Sequence, residues 1–261
     1  LAADASEIRM KFLDLNLPSP AENLACEETL LDWCEENGGE EILRFWQARE
    51  TFVVVGYANK IATEVNVENC RAKKIPIFRR CSGGGTVLQG AGCLNYALLL
   101  RISDDGPCRT ITSANKFIME KNRTAIESEV RSQKSEADIS VCGHTDLSLV
   151  TRHPSLVTPK KFSGNSQRRK KNFLLFHGTF LLDFNLALVG EFLKMPSQQP
   201  DYRASRSHRE FLTNLNLPAD KVKAALKKSW GAVEELKDFP KPDIQKLAAQ
   251  KYSTDDWNYK L

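Results

Sequence analysis

The chain has 261 residues, 41% hydrophobic and 27% charged, with 37 basic against 33 acidic side chains and a formal charge of +4. That length can bury a large core, the composition is that of an ordinary globular protein, and the basic surplus is too small to point to nucleic acid. No apolar run reaches the roughly 20 residues of a membrane span. The opening LAADASEIRM has no basic stretch followed by an apolar core. No signal peptide is therefore expected, and residues 1–9 read as a loose N-terminal extension. Seven cysteines (Cys26, Cys34, Cys70, Cys81, Cys93, Cys108 and Cys142) are an odd number without a CxxC pair, and the four histidines never take a ligand spacing such as HExxH. Neither a disulfide framework nor a metal site is expected, and the setting reads as the reducing cytoplasm.

In chain order, Met10–Leu17 alternates like a first strand. Ser19-Pro20-Ala21-Glu22 then reads as a capping box with proline in the first turn, opening a helix that closes at Gly38-Gly39. Leu24, Leu31 and Cys34 share one face of it, with Leu30 and Trp33 beside them. Glu41–Ala48 and Thr51–Tyr57 are β-rich runs around a short polar turn and predict a hairpin. Ile75–Arg80 and Cys93–Ile102 predict two more strands, with a glycine-rich stretch between. Ile111–Ile126 has helical spacing, and the polar run Glu127–Glu136 predicts a loop. Ile139–Val150 and Asn172–Phe184 predict strands flanking a basic loop that contains serine and glycine. Helices are expected at Leu186–Lys194, Ala219–Trp230 and Pro242–Lys251, making 219–261 the helical C-terminal part of a single domain spanning 1–261. Without a βαβ rhythm, the order predicts an α+β fold with a mixed, largely antiparallel sheet and flanking helices.

Residues 79–95 read RRCSGGGTVLQGAGCLN. Each glycine costs roughly 0.5–1 kcal/mol of extra backbone entropy relative to alanine, so three in a row imply a need for bare backbone. Successive N–H groups can approach an oxyanion there, and the arginines add charge and bidentate donors. A phosphate or an activated carboxylate fits both features. GxGxxG and GxxxxGK[ST] are both absent, and a tight turn with surface arginines would use the same letters. A second segment, KFSGNSQRRKKNFLLFHGTFLLDFN at 161–185, sets a lysine just before a Ser-Gly-Asn-Ser turn and His177-Gly178-Thr179 inside an apolar strand. Taken singly, these read as a solvated lysine and a satisfied interior histidine.

Together the two segments resemble the lipoate–protein ligase family, within the biotin/lipoate ligase and octanoyltransferase superfamily. RRCSGGGTV is similar to the family's RRxSGGG loop, KFSGNSQ to its Lys-x-Ser-Gly segment, and HGTFLLDFN to its His-Gly-Thr strand. FWQARETFVVVGYAN (45–59), RSHREFLTNL (206–215) and the late WNY resemble further family segments, in family order. The GRGRxG motif of the biotin branch is missing. The resemblance implies a class II synthetase/biotinyl–lipoyl ligase-like fold. It also implies an ATP-dependent ligase that uses Mg2+ to activate lipoate or octanoate as an acyl adenylate, then transfers the acyl group to a lysine of a lipoyl domain. A separate accessory subunit is compatible with that reading. Lysine, with a pKa of about 10.4, has only about one amine in a few thousand unprotonated at pH 7, so activation and orientation both matter.

By the same resemblance, Lys161 is catalytic, its ammonium bridging acyl carbonyl and α-phosphate. Arg80, Gly85, Thr86, Val87, Leu88, Gly164 and His177 join Lys161 around the nucleotide. Trp46, Ser82, Gly83, Gly84, Gly178 and Thr179, with Arg80, Lys161 and His177, surround the lipoate. Burying an eight-carbon chain against Trp46 contributes on the order of 5 kcal/mol at ~0.8 per methylene. Gln89 stands where many members carry histidine, and Cys81 where arginine or proline is common. The chain ends near Trp257-Asn258, before the accessory domain of the long ligases. Cys142, in SVCGHTDLSLV, lies in about the region where cysteine-dependent octanoyltransferases form a thioester. The alternative is therefore an octanoyltransferase taking its acyl group from acyl carrier protein through Cys142. Ligases, however, place a small residue there before Gly-x-x-Asp, as in Gly143–Asp146. A non-catalytic lipoyl-domain binder is a further alternative, opposed by the retention of Lys161, Arg80 and the glycine loop. RRKK at 168–171 reads as a solvated loop, or as one that covers the nucleotide or meets an acidic lipoyl domain.

Overall fold

Ser19 and Glu22 do what their spacing demands. The computed structural model describes residues 10–132, 137–151 and 158–261, and in it β1 (Lys11–Asp14) leads into α1 (Pro20–Asn37). The expected N-terminal extension lies outside the described residues. The Ser19 hydroxyl accepts from the Glu22 N–H and the Glu22 carboxylate from the Ser19 N–H, satisfying two helix-start donors. Gly38 ends the helix at φ 60°, in the left-handed region. The helix buries Leu24, Leu30, Leu31 and Cys34 as expected, but also Glu27 and Glu28. Buried carboxylates need partners, and these have a bearing on the site.

The chain continues through β2 (Ile42–Gln47), β3 (Phe52–Val55), α2 (Ile61–Glu64), α3 (Val67–Ala72), β4 (Ile77–Arg79), β5 (Val87–Gln89), β6 (Cys93–Arg101) and α4 (Ile111–Ser132). β7 (Ala137–Cys142), β8 (Asp146–Thr151), β9 (Lys160–Arg169) and β10 (Phe173–Leu181) form successive antiparallel pairs. α5 (Ala187–Phe192), α6 (His208–Phe211), α7 (Ala219–Trp230), β11 (Glu234–Glu235), α8 (Lys241–Leu247) and α9 (Asp255–Asn258) follow. Eight strands form one mixed sheet in the order β11-β1-β2-β6-β10-β9-β8-β7, and β4-β3-β5 form a small second sheet. β1 runs parallel to β2 and β11, while the pairs from β2 onward are antiparallel. This is the expected α+β class.

Strand alternation gives the large sheet two faces. On one, Leu43, Phe45, Tyr96, Leu98, Leu174 and Phe176 join a continuous core with Ile118 and Ile126 of α4 and Val222 and Leu226 of α7. On the other, Ile42, Leu99 and Leu175 pack in the core that includes α1. Further along that second face the chemistry changes. Arg44 lies in register with Ala97 and His177, and Trp46 with Asn95 and Thr179. A cleft opens over these rows.

Several local expectations are corrected. β2 and β3 are no hairpin: β2 pairs with β1 and β6, whereas β3 crosses to the small sheet. Alternation marks a strand and its buried face but does not name its partner. Residues 127–132 continue α4, because Val130 is buried and Glu127 pairs with Arg123 and Arg131 one turn either side. The rest of that expected loop, 133–136, lies outside the described residues. Ile139–Val150 is a hairpin turned at Gly143, which has φ 57°. The basic Ser/Gly segment is strand β9, held between β8 and β10. Three of the RRKK side chains are docked. Arg168 donates to the Cys81 carbonyl, Arg169 to those of Cys108 and Arg109, and Lys170 lies 2.6 Å from Asp32 of α1.

Candidate active site

The glycine loop is organised from behind by Arg80. Its Nε donates to Ser82 Oγ at 3.1 Å and its Nη2 to the carbonyls of Gly83 and Gly85 at 2.5 and 2.7 Å. The Ser166 hydroxyl of β9 donates to the same Gly83 carbonyl at 2.8 Å. With the carbonyls engaged, the loop keeps its N–H groups: among the described residues nothing accepts from Gly83, Gly84 or Gly85. Gly84 sits at φ 82°, and a Cβ there would meet the Arg80 guanidinium at 3.0 Å. The arrangement suits an oxyanion.

Beneath the loop, Ser82 is 1% exposed and lies 2.5 Å from Nε2 of His177, whose Nδ1 is 2.5 Å from Glu27 Oε2. A carboxylate only accepts, so Nδ1 carries the N–H and Nε2 faces the serine. The other Glu27 oxygen accepts from Trp46 Nε1 at 2.8 Å and from the fully buried Arg44 at 3.5 Å. Arg44 also donates to the side chain and carbonyl of Asn23. Burial pushes the Glu27 carboxyl up, but His177, Arg44 and Trp46 outweigh it and hold it below the ordinary carboxylate range. Glu27 thus joins the aromatic Trp46 to the loop serine. Sequence reasoning missed it, although its position three after Leu24 and four before Leu31 puts it on the apolar face of α1.

Gln89 closes a ring with two neighbours. It donates to Thr179 Oγ1 (2.7 Å), Thr179 to Asn95 Oδ1 (2.6 Å), and Asn95 back to Gln89 Oε1 (3.1 Å). The ring stitches β5 of the small sheet to β6 and β10 of the large one. An amide, both donor and acceptor, completes it without a titrating group.

Lys161 stands at the start of β9 with its Nζ 2.8 Å from Asp146 Oδ1, and Asp146 Oδ2 accepts from the Tyr202 hydroxyl at 2.7 Å. Lys161 folds back over Gly164, where a Cβ would lie 2.6 Å from Nζ. Asn165 and Thr145 exchange side-chain hydrogen bonds to each other's carbonyls and lock the β7–β8 turn onto β9. Cys142 ends β7 directly opposite Asp146. It is half-buried, and burial together with the Asp146 charge pushes its thiol up.

These groups surround a cleft of about 370 Å³. Trp46, Arg80, Gly84, Gly85, Thr86, Val87 and Leu88 line it, and so do Lys161, Gly164, His177, Gly178 and Thr179. Ser82, which is buried, and Gly83, which is exposed, are not part of that lining. Cys142 stands one residue outside the lining, which takes in Gly143, His144, Thr145 and Asp146. Glu27 and Arg203 also line the cleft and were not foreseen, and so do Asp146 and His208, which sequence reading placed only within family-like segments.

Comparison with known proteins gives the family. The sequence profile of the lipoyl protein ligase A/B catalytic domain matches residues 19–230, and the chain belongs to that family. The octanoyltransferase LipM of Geobacillus kaustophilus is 25% identical over 276 residues, covering 96% of this chain and 98% of its own. That of Bacillus subtilis is 26% identical over 277 residues, with the same coverage. A bipartite lipoate protein ligase from Thermoplasma acidophilum, solved in a study of its lipoylation system, superposes with a TM-score of 0.75 at 25% identity, over 97% of this chain and 96% of the other. Lipoate-protein ligase A bound with ATP shares the fold, with a TM-score of 0.69 at 24% identity over 96% of this chain and 98% of that one.

Proposed function

We propose that this chain is an octanoyltransferase that moves an acyl group from a carrier thioester to a lysine of a lipoyl domain, with Cys142 carrying the acyl group between them. The observation that carries the reading is the strand pairing of Cys142 with Asp146, the residue that holds Lys161. The nearly full-length similarity to octanoyltransferases supports it. In the first step the Cys142 thiol gives up its proton and its thiolate attacks the thioester carbonyl. A new C–S bond forms as the carrier's C–S bond breaks, and the carrier sulfur leaves and takes up that proton as a thiol. In the second, the unprotonated acceptor amine attacks the Cys142 thioester, an amide forms, and Cys142 regains its proton. Lys161 and the free glycine-loop N–H groups stabilise the oxyanion that develops in both steps. Asp146, itself held by Tyr202, positions the ammonium. Trp46 and the apolar side chains near it hold the acyl chain. The thiol is pushed up, so the first step should accelerate as pH rises above neutral. The seven unbridged cysteines agree with a cytoplasmic setting. Among the described residues no helix is long and apolar enough to cross a membrane.

The half-buried, raised thiol is also the observation that favours a second reading. In that reading Cys142 is only a small residue before the turn, and ATP with Mg2+ activates lipoate or octanoate as an adenylate. The glycine loop, Arg80 and Lys161 would then meet the anhydride. Intact-mass measurement separates the two. Incubation with octanoyl carrier protein should leave an octanoyl adduct that disappears in Cys142→Ser. No adduct, together with Mg-ATP-dependent modification of a lipoyl domain that survives Cys142→Ser, would overturn the transferase reading.

A further inference from the structure

The acids that line the cleft are already engaged. Glu27 holds His177, Trp46 and Arg44; Glu64 accepts from the Ser197 hydroxyl and N–H; Asp146 holds Lys161 and Tyr202. Arg203 lines the same cleft, is 5% exposed, and has no carboxylate partner among the described residues. A buried guanidinium without a counter-charge is costly, and burial lowers its pKa. Its surroundings hold it in one pose. Nε donates to the Arg206 carbonyl at 3.0 Å, the guanidinium carbon sits 4.6 Å over the Phe211 ring, and Nη2 is 3.3 Å from His208 Nδ1. Nε2 of His208 donates to the Lys194 carbonyl at 3.0 Å, so Nδ1 is the lone-pair acceptor for Arg203. Arg206 beside it spends its donors on the carbonyls of Arg203, Pro159 and Tyr202, and the carboxylate near enough to feel its charge is Glu210. Nη1 of Arg203 has no partner among the described residues.

We infer that Arg203 is a phosphate-binding residue of the cleft, held ready by His208 and Phe211. The spare Nη1 can donate both its N–H groups to phosphate oxygens while Nε and Nη2 stay engaged. The charge of Arg203, which has no carboxylate partner among the described residues, favours an anion over a neutral acceptor. Tyr202, its neighbour on the same turn, touches the Asp146 that positions Lys161, so the phosphate would be held on the Lys161 side of the cleft. Two substrates bring a phosphate to such a place: the phosphopantetheine arm of an acyl carrier, or a nucleotide. The site itself does not depend on which acyl donor is used; only the source of its phosphate rests on the function proposed above.

The test is calorimetric titration of the full chain with two ligand pairs, octanoyl-phosphopantetheine against octanoyl-pantetheine, and ATP against adenosine. Wild-type protein should prefer the phosphate-bearing member of one pair by roughly 10–100-fold, the worth of a charge-assisted hydrogen bond. Arg203→Met should abolish that preference, and Arg203→Lys, which keeps the charge but not the guanidinium, should retain part of it. A melting curve establishes that each variant is folded, and Arg203→Lys carries the test if the methionine variant is not. Preference in the first pair identifies the carrier arm, and preference in the second the nucleotide. The second outcome overturns the proposed acyl donor but leaves the phosphate site standing. Absence of preference in both pairs, or preference that survives in both variants, overturns the phosphate site.

Discussion

The two ends of the functional face are built on opposite terms. Around Glu27, five groups from α1, β2, β10 and the glycine loop (Asn23, Arg44, Trp46, His177 and Ser82) are at most 8% exposed and joined by hydrogen bonds into one cluster. Around Lys161, the charged pair is a quarter exposed on the lysine side, and it rests on a hairpin turn and a short helical turn rather than on the sheet interior. The first arrangement is stable because its charges are paired out of water, and removing Glu27 would strand the buried Arg44. The second can exchange partners because water still reaches it. A site that must hold an acyl chain in place and also pass it on needs both kinds of construction.

That contrast can be broken most sharply at the buried end. Glu27→Ala leaves Arg44 fully buried without its carboxylate, and stability should fall by about 3–5 kcal/mol, lowering the melting temperature by about 10 °C. The pH dependence follows from the lowered pKa of Glu27. A carboxyl held below its unfolded value of about 4.3 contributes stability above that pH and loses it as pH falls through the folded value. Glu27→Gln, with no charge to lose, should therefore show a flatter acid limb below about pH 4 in thermal melts. An acid limb as steep as wild type would mean that the carboxylate is not the group that titrates.

At the rim, the expected effects move from stability to rate. Lys161→Ala should slow acyl transfer to a lipoyl domain by ~10²–10³, the usual cost of one preorganised donor. Its melting temperature should stay within a few degrees, because a partly exposed pair contributes under about 1 kcal/mol. A large drop in melting temperature would make Lys161 part of the framework instead. Gly164→Ala asks for less: the new Cβ must push the lysine nitrogen aside from 2.6 Å, and transfer should slow by about 10–100-fold in an intact-mass time course. Unchanged rates would mean that the ammonium has no fixed place. Lys170→Ala should do least, costing under about 1 kcal/mol and leaving transfer as it was, because that lysine belongs to a surface pair with Asp32. A tenfold fall in transfer would restore a functional role to the basic segment.

Local sequence determined those features whose hydrogen bonds and turns close within a few residues. α1 begins at the Ser19–Glu22 box and ends at Gly38, and α7 spans Ala219–Trp230 with Gly231 at φ 66°, because caps and left-handed glycines are decided by neighbours along the chain. The glycine loop, the lysine before Ser-Gly and the histidine before Gly-Thr could be read in the same way, as letters that bare backbone and oxyanion chemistry require. Tertiary structure decided what depends on partners far away. It sent β3 to a second sheet, made a strand of the basic segment, and set Glu27 against His177, 150 positions later. It also left Arg203 buried without a counter-ion among the described residues. An acid on a helix reads as solvent-facing until something buried needs its charge, and an arginine reads as surface until the fold closes over it. Burial and charge compensation are properties of the assembled chain, and no local period records them.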